Sequence, residues 1–369
     1  MAIPTDPPAP PPAPPAPAPP PAPASAPAPA PPPMPPCREL WFVRPGVVEV
    51  RLGAPPREPG AGEIAARALA SGISQGTELL LYRGEGPTPF DPSLDAPGAP
   101  TYPRRYGYAW VGEVVARGEG AAFAPGDRVF ALAPHGDVHV LGPGSARGLP
   151  RSIPAARAVL AANLETAVTC VWDAGVGLGD VVVVLGGGVV GLLVVALARR
   201  AGAAEVRLVE PSERRRQAGL ALGAAAAARP EDDRPRGDAD VVIAATGDPA
   251  ELDRAIAHAA REATVTVASF YGARTSPVAL GAEFHRRRLR LRASQVSTLP
   301  PERAPRWDPA RRFALVRALL EDAALDVLLD PPVSLDAASE LYAALAAEPG
   351  ARLQTVFQYG SRHTANANT

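Results

Sequence analysis

Lysine is absent from the 369 residues: all 37 basic residues are arginine. With no side-chain amine, Schiff-base chemistry is closed to the chain, which excludes pyridoxal-phosphate enzymes and lysine-dependent aldolases. Cysteine is nearly absent. Cys37 and Cys170 are too few and too far apart for a disulfide framework or a zinc ribbon, and Cys170 lies in an apolar stretch where an inert buried thiol is expected. Charge of either sign is scarcely in excess, with a net value of −1. That leaves no electrostatic footprint for nucleic acid or an anionic membrane, so neither is expected as a partner. The run Arg286-Arg287-Arg288 reads as solvated surface. The N-terminus lacks the charged and apolar regions of a signal peptide, and a cytoplasmic location is the expectation.

Twenty of the first 36 residues are proline and most of the others are alanine. Such a stretch has nothing to bury and favours polyproline II or disorder. A linker, or an upstream start ahead of a true start at Met34, explains it better than an SH3-type ligand. From Glu39 to about Pro154, short apolar stretches (Val47–Val50, Val111–Val115, Val129–Ala133) alternate with Gly/Pro turns and predict a β-rich domain. From about Ala155, strand and helix signals alternate, which predicts an α/β domain on a parallel sheet. Helix-like stretches at Arg311–Leu320 and Ala337–Ala347 and a strand at Leu353–Gln358 close the chain.

Residues Val181–Ala198 form 18 consecutive uncharged residues, the length of a membrane span. Three adjacent glycines argue against one. Gly186-Gly187-Gly188-Val189-Val190-Gly191 matches G-x-G-x-x-G, after the strand-like Val181–Leu185 and before a helix-like Leu192–Arg200. Gly186 permits the turn, Gly188 lets backbone approach a pyrophosphate, and Gly191 allows helix and strand to pack closely. Val189 and Val190 open a helix whose free N–H groups and positive dipole end face the phosphates. A second strand, Val206–Val209, ends in Glu210, placed to accept ribose hydroxyls. A doubly wound Rossmann sheet binding a nicotinamide dinucleotide is the reading. Glu210 repels a 2′-phosphate and favours NAD; Arg214, Arg215 and Arg216 keep NADP as the alternative. Thr246, after strand Val241–Ala245, and Ser269 and Phe270, in strand Thr264–Phe270, are candidate cofactor neighbours.

Four segments together resemble the medium-chain dehydrogenase/reductase superfamily: Ser71-Gly72-Ile73-Ser74-Gln75-Gly76-Thr77-Glu78, Tyr106-Gly107-Tyr108-Ala109-Trp110-Val111-Gly112, Pro125-Gly126-Asp127-Arg128-Val129, and the glycine fingerprint. The resemblance implies a chaperonin-10-like β-rich catalytic domain over residues 37–160, a Rossmann domain over 161–296, and a return to the first domain over 297–369, after a disordered tract over 1–36. Zinc-dependent members carry a cysteine in the first segment, Gly-His-Glu in the second and a further ligand before the Rossmann domain. Here stand Ser74, Gln75 and Gly76, then Gly107-Tyr108-Ala109, and no Cys or His over Ala161–Thr166. The first two segments, with Ala162-Asn163-Leu164-Glu165-Thr166-Ala167, look most like a metal-poor branch that includes proteins similar to hydroxyethyl bacteriochlorophyllide dehydrogenase. No zinc is expected; a new site would have to use His135, His139 and Glu78.

Without a metal, hydrogen bonds must stabilise the reacting oxygen. By the resemblance, Thr77 holds the position of a proton-relay hydroxyl and Tyr108 replaces a histidine ligand. Both are therefore the catalytic candidates, with His285 a further proton shuttle. The expected activity is zinc-independent hydride transfer between the dinucleotide and a small alcohol/carbonyl pair. Reduction of an activated C=C bond and dinucleotide binding without turnover stay open, as does a homodimer.

Overall fold

The structure, a computed structural model, describes residues 36–85, 101–272 and 274–360. Except for Pro36, the proline-rich tract lies outside the described residues.

The first half folds as short antiparallel strands. Strands β1 (Arg38–Arg44) and β2 (Val47–Leu52) form a hairpin. β3 (Ile64–Gly72) leads through Ser74 into helix α1 (Gln75–Arg83), followed by β4 (Arg104–Arg105), β5 (Trp110–Arg117), β6 (Arg128–Ala131), β7 (Val138–Leu141) and β8 (Ala146–Leu149). The Pro125-Gly126-Asp127 turn introduces β6, with Gly126 at φ +92°, a left-handed value that favours glycine. Trp110, Phe42, Tyr342 and Phe357 are among the fully buried residues of this half's core.

Helices α2 (Ala155–Ala158) and α3 (Ala161–Ala174) then lead into β9 (Val181–Leu185), α4 (Val189–Ala201), β10 (Glu205–Val209), α5 (Glu213–Ala221), β11 (Ala226–Ala228), β12 (Ala239–Ala244), α6 (Leu252–His258), β13 (Ala259–Val267), α7 (Ala282–Arg286) and β14 (Arg290–Ala293). These six strands form one parallel sheet in the order β11-β10-β9-β12-β13-β14. The α/β Rossmann class read from the sequence is what the chain adopts. The valines of β9 show why. Val182 and Val184 enter one core with Leu192, Val195 and helix α3, while Val183 and Leu185 enter another with Val242, Val265 and Ile256. Side chains alternate across a strand, and a sheet covered on both faces needs apolar residues at every position. The 18-residue run is therefore strand, turn and helix. Among the described residues, no helix is long and apolar enough to cross a membrane.

The chain closes with α8 (Pro309–Leu319), β15 (Val333–Ser334), α9 (Ala338–Ala347) and β16 (Val356–Gln358). β16 pairs antiparallel with β3, so the C-terminal segment is part of the first sheet. Two expected strands differ most in extent. The one expected over Thr264–Phe270 runs Ala259–Val267, leaving Ser269 and Phe270 in the following turn. The last is shorter than Leu353–Gln358, because Leu353 N–H is taken by the Asp330 carboxylate (3.0 Å) and Gln354 N–H by the Leu328 carbonyl (2.8 Å).

Two glycines fix how β9 meets α4. Gly186 has φ +98°, and a Cβ there would lie 2.7 Å from the Ala245 carbonyl oxygen. A Cβ on Gly191 would lie 2.0 Å from the Gly186 carbonyl oxygen. Helix propensity alone favours alanine over glycine by about 1 kcal/mol. Gly191→Ala is nonetheless expected to destabilise the fold, by about 1–3 kcal/mol as overpacking usually does, read as a lowered melting temperature; an unchanged or raised value would mean helix and strand pack more loosely than this.

Candidate functional site

Helix α4 begins at Gly188, whose backbone is extended (φ −65°, ψ 174°). Its first-turn N–H groups have no intrahelical partner by construction, and those of Gly188, Val189 and Val190 take none elsewhere among the described residues. A Cβ on Gly188 would meet nothing within 4 Å. Open space over free N–H donors at a positive dipole end suits a pyrophosphate.

Glu210 ends β10 and is buried. Its Oε2 accepts the Gly187 N–H (2.6 Å) and its Oε1 the Ser212 N–H (2.9 Å). A carboxylate has about four lone-pair sites, so this leaves capacity for a ribose hydroxyl while holding the glycine turn in shape. The three arginines beyond it have separate tasks. Arg214 pairs with Asp330 at 2.6 Å, and Arg216 donates to the Glu210 carbonyl (2.8 Å) and pairs with Glu213. Arg215 has no carboxylate partner among the described residues. It donates to the Arg352 carbonyl (2.9 Å) and, at 3.4 Å, to Gln75 Oε1, and its Nε is buried and unpartnered. Burial pushes its pKa down, partly offset by Glu210 and Asp330. Of these three arginines, a 2′-phosphate would thus find only Arg215 without a carboxylate partner among the described residues, beside a carboxylate, Glu210, that opposes it.

The other candidate neighbours lie at strand ends. Thr246 is half-buried and its hydroxyl accepts the Asp248 N–H at 3.2 Å; Ser269 is half-buried, 3.5 Å from the Ala244 carbonyl; Phe270 is 54% exposed. Thr246 and Ser269 follow the adjacent strands β12 and β13 at their carboxyl ends, where ligands collect in such sheets.

Thr77 and Tyr108 do come together. Tyr108 Oη lies 3.5 Å from Thr77 Oγ1 and donates to Ser74 Oγ, and all three side chains are half-buried. Burial raises the Tyr108 pKa, with Ser74 and Thr77 pulling the other way, so the phenol is a proton donor at neutral pH. Helix α1 carries two of these hydroxyls across the carboxyl edge of the parallel sheet. Near its start Gln75 meets Arg215 of α5, and beyond its end the Glu85 carbonyl lies so near the turn after β13 that a Cβ on Gly272 would be 3.1 Å away.

Ser74 was not singled out as catalytic from sequence, and its setting is unusual. Each neighbouring peptide is pinned. Gly72 N–H donates to Ala109 (2.8 Å), Ile73 N–H to Thr355 (3.0 Å), Gln354 Nε2 to the Ile73 carbonyl (3.0 Å), and Ser74 N–H to Glu78 Oε1 (2.9 Å). Glu78 Oε2 also accepts from Tyr342 and meets His135 Nε2 at 3.0 Å; His135 Nδ1 meets Ser71 Oγ at 2.7 Å, and Ser71 meets Tyr359 at 2.8 Å. Gly136 N–H donates to Tyr359 (3.2 Å). With a neutral His135 carrying its proton on Nε2, the donors would run in one direction: Gly136 N–H to Tyr359, Tyr359 O–H to Ser71, Ser71 O–H to Nδ1, and Nε2–H to the carboxylate. Serine, histidine and glutamate here have the spacing of a nucleophilic triad, yet Ser71, His135 and Glu78 are 0–1% exposed and no substrate reaches them.

The donor set does not fit zinc. Ser74 and Tyr108 offer hydroxyls, and the Gln75 amide is turned to the Arg352 and Leu353 carbonyls. On α3, Asn163 Nδ2 donates to Gln354 at 3.0 Å. Of the substitute ligands, Glu78 and His135 are paired and sealed. His139 bonds the Pro134 carbonyl (2.8 Å) and stacks edge-on against Trp110. Among the described residues, no three His, Cys, Asp or Glu side chains gather as a metal would require. His285 is exposed on α7.

Residues 189–311 match the zinc-binding dehydrogenase family; that span lies within and beyond the parallel sheet and contains none of Ser74, Tyr108 or Asn163. Over 314 residues the chain is 32% identical to 2-desacetyl-2-hydroxyethyl bacteriochlorophyllide A dehydrogenase of Cereibacter sphaeroides, covering 79% of this chain and 89% of the relative. It is 26% identical over 309 residues to D-guloside 3-dehydrogenase of Escherichia coli, covering 76% and 88%. Its fold is similar to that of a zinc-binding dehydrogenase from Sinorhizobium meliloti 1021 bound to NADP, with a TM-score of 0.72, 22% identity, and coverage of 88% of this chain and 100% of the other.

Two outcomes follow from the glycine turn and its acidic neighbour. Gly188→Val should keep the melting temperature, because its Cβ enters open space, while NADH titrated by its fluorescence binds much more weakly; unchanged affinity in a folded variant would count against a dinucleotide at this turn. The wild type should bind NADH more tightly than NADPH, Glu210→Ser should narrow the gap, and adding Arg215→Ala should abolish the NADPH gain. A wild type that prefers NADPH would show that Arg215 outweighs Glu210.

Proposed function

The chain belongs to the medium-chain dehydrogenase/reductase superfamily, and from that premise we propose that it transfers hydride between a nicotinamide dinucleotide, NAD in preference to NADP, and a small alcohol/carbonyl substrate without zinc. The observations that carry this reading are the hydroxyl cluster of Tyr108, Ser74 and Thr77, at the start of a helix that meets α5 through Gln75, and a glycine turn whose N–H groups take no partner among the described residues. The names of the two curated relatives, a hydroxyethyl and a guloside dehydrogenase, agree with an alcohol as the reacting group.

Gly188, Val189 and Val190 would hold the pyrophosphate through backbone N–H groups, Glu210 the adenosine ribose, and the turns at Thr246, Ser269 and Phe270 the far end. Bound there, the cofactor supplies or accepts the hydride. The chain's own residues handle the oxygen. Tyr108, kept protonated by burial, can donate a hydrogen bond where charge develops, and Thr77 supports it. A positioned donor of this kind acts mainly in the transition state, in a site where little water competes. No step needs a metal ligand.

Screening by consumption of NADH or NAD, with and without a chelator, tests the reading. Zinc by elemental analysis should be far below one per chain, and turnover should survive chelation. Thr77→Val and Tyr108→Phe should each lower turnover, by about a hundredfold where the lost bond acts in the transition state. Stoichiometric zinc whose removal abolishes turnover would overturn the metal-free mechanism. Activity confined to conjugated substrates would move the assignment to C=C reduction.

A further inference from the structure

Ser74 occupies the N-cap of α1, yet its side chain makes no capping bond. Serine is favoured at that position because its oxygen accepts an N–H of the first turn, worth about 1 kcal/mol. Here the oxygen accepts the Tyr108 O–H instead, and its own O–H has no acceptor among the described residues. The hydroxyl is half-buried rather than sealed. Its backbone is fixed on both sides: Gln354 at the Ile73 carbonyl and the buried Glu78 carboxylate at the Ser74 N–H hold the preceding peptide, and the Glu78 N–H donates to the Ser74 carbonyl (2.8 Å) on the other side. An N-cap serine that forgoes its cap, is held rigidly and presents a free proton beside a phenol is built as a donor.

We propose that Ser74 is a catalytic residue: its hydroxyl meets the reacting oxygen and passes the proton between substrate and Tyr108, with Thr77 beyond. The role rests on the oxidoreductase reading above and gives its hydroxyls an order. Reduction of a ketone adds two electrons and one hydrogen at carbon, taken from the reduced nicotinamide, and one proton at oxygen. In that step the Ser74 O–H bond breaks as the product O–H forms. The Tyr108 O–H bond breaks as Ser74 is reprotonated, and Tyr108 regains a proton from solvent by way of Thr77. Alcohol oxidation runs the same chain backwards and delivers the proton to water.

The test has one arm that needs no substrate. Tyrosine ζ-carbon NMR of the full chain without cofactor, with Tyr108 assigned through Tyr108→Phe, follows the ionisation of its phenol with pH. The phenolate would accept the Ser74 proton as a hydrogen bond, so Ser74→Ala should move the Tyr108 titration to higher pH, and Ser74→Thr, which keeps a hydroxyl, should restore it. The second arm uses 1-phenylethanol with NAD and acetophenone with NADH. Ser74→Ala should lower kcat by about a hundredfold with little change in KM, and Ser74→Thr should recover most of it. An unshifted Tyr108 titration in Ser74→Ala overturns the proposal whether or not either probe turns over. Full activity in Ser74→Ala, with Tyr108→Phe and Thr77→Val inactive, overturns the Ser74 role alone. Full activity in all three variants overturns the hydroxyl mechanism of the previous subsection as well.

Discussion

A single buried carboxylate organises the first half of this molecule. Glu78 is fully removed from solvent and accepts from Tyr342, His135 and the Ser74 amide. Burying a carboxylate is costly unless its lone pairs are filled, since leaving even a neutral buried donor or acceptor unmatched costs about 1–3 kcal/mol. The three donors come from α9, from the loop after β6 and from the start of α1. Satisfying one charge therefore ties the C-terminal helix to a loop and to the segment that carries the candidate hydroxyls. The polar chain behind it, through Ser71 and Tyr359 to Gly136, extends the same constraint to the last strand's end. Of this whole network, Ser74 alone is half-open. The interior fixes a point at the site without itself being reachable.

The parallel sheet was the most legible part of the chain. Unbroken valine runs, a glycine turn and a closing acidic residue are local signals, and each has one good structural solution. Strand β9 has the residues expected of it, Val181–Leu185. The turns after β13 were less legible, because tertiary hydrogen bonds rather than propensity decide where a strand stops. The same holds for Leu353, whose N–H is taken by the Asp330 side chain, and for Gln354, which makes only an isolated parallel bridge to Leu329.

The candidate site was readable in outline only. Thr77 and Tyr108 could be named, but 31 positions separate them, and nothing local says their oxygens meet. Ser74 was hidden for a different reason. Serine before a helix is ordinary, and only the structure shows that it does not cap. A faint signal existed in Glu78, four residues on, which takes the N–H that a capping-box glutamate would take from one residue nearer. The pairing of His135 with Glu78 likewise could not be told from a pair of would-be metal ligands, since both readings use the same residue types.

Helix α1 has nine residues, a rod about 14 Å long at 1.5 Å per residue. One end is tied through Gln75 to the helix that follows Glu210; beyond the other, Glu85 abuts the turn after β13. A stiff rod braced at two points cannot rise at one of them without pivoting on the other. A dinucleotide bound as proposed would lie along this one lever, with Ser74 and Thr77 seated near its Gln75 end. In that arrangement a disturbance at the adenosine side would reach the reacting oxygen as a rotation of the lever, without passing along the cofactor.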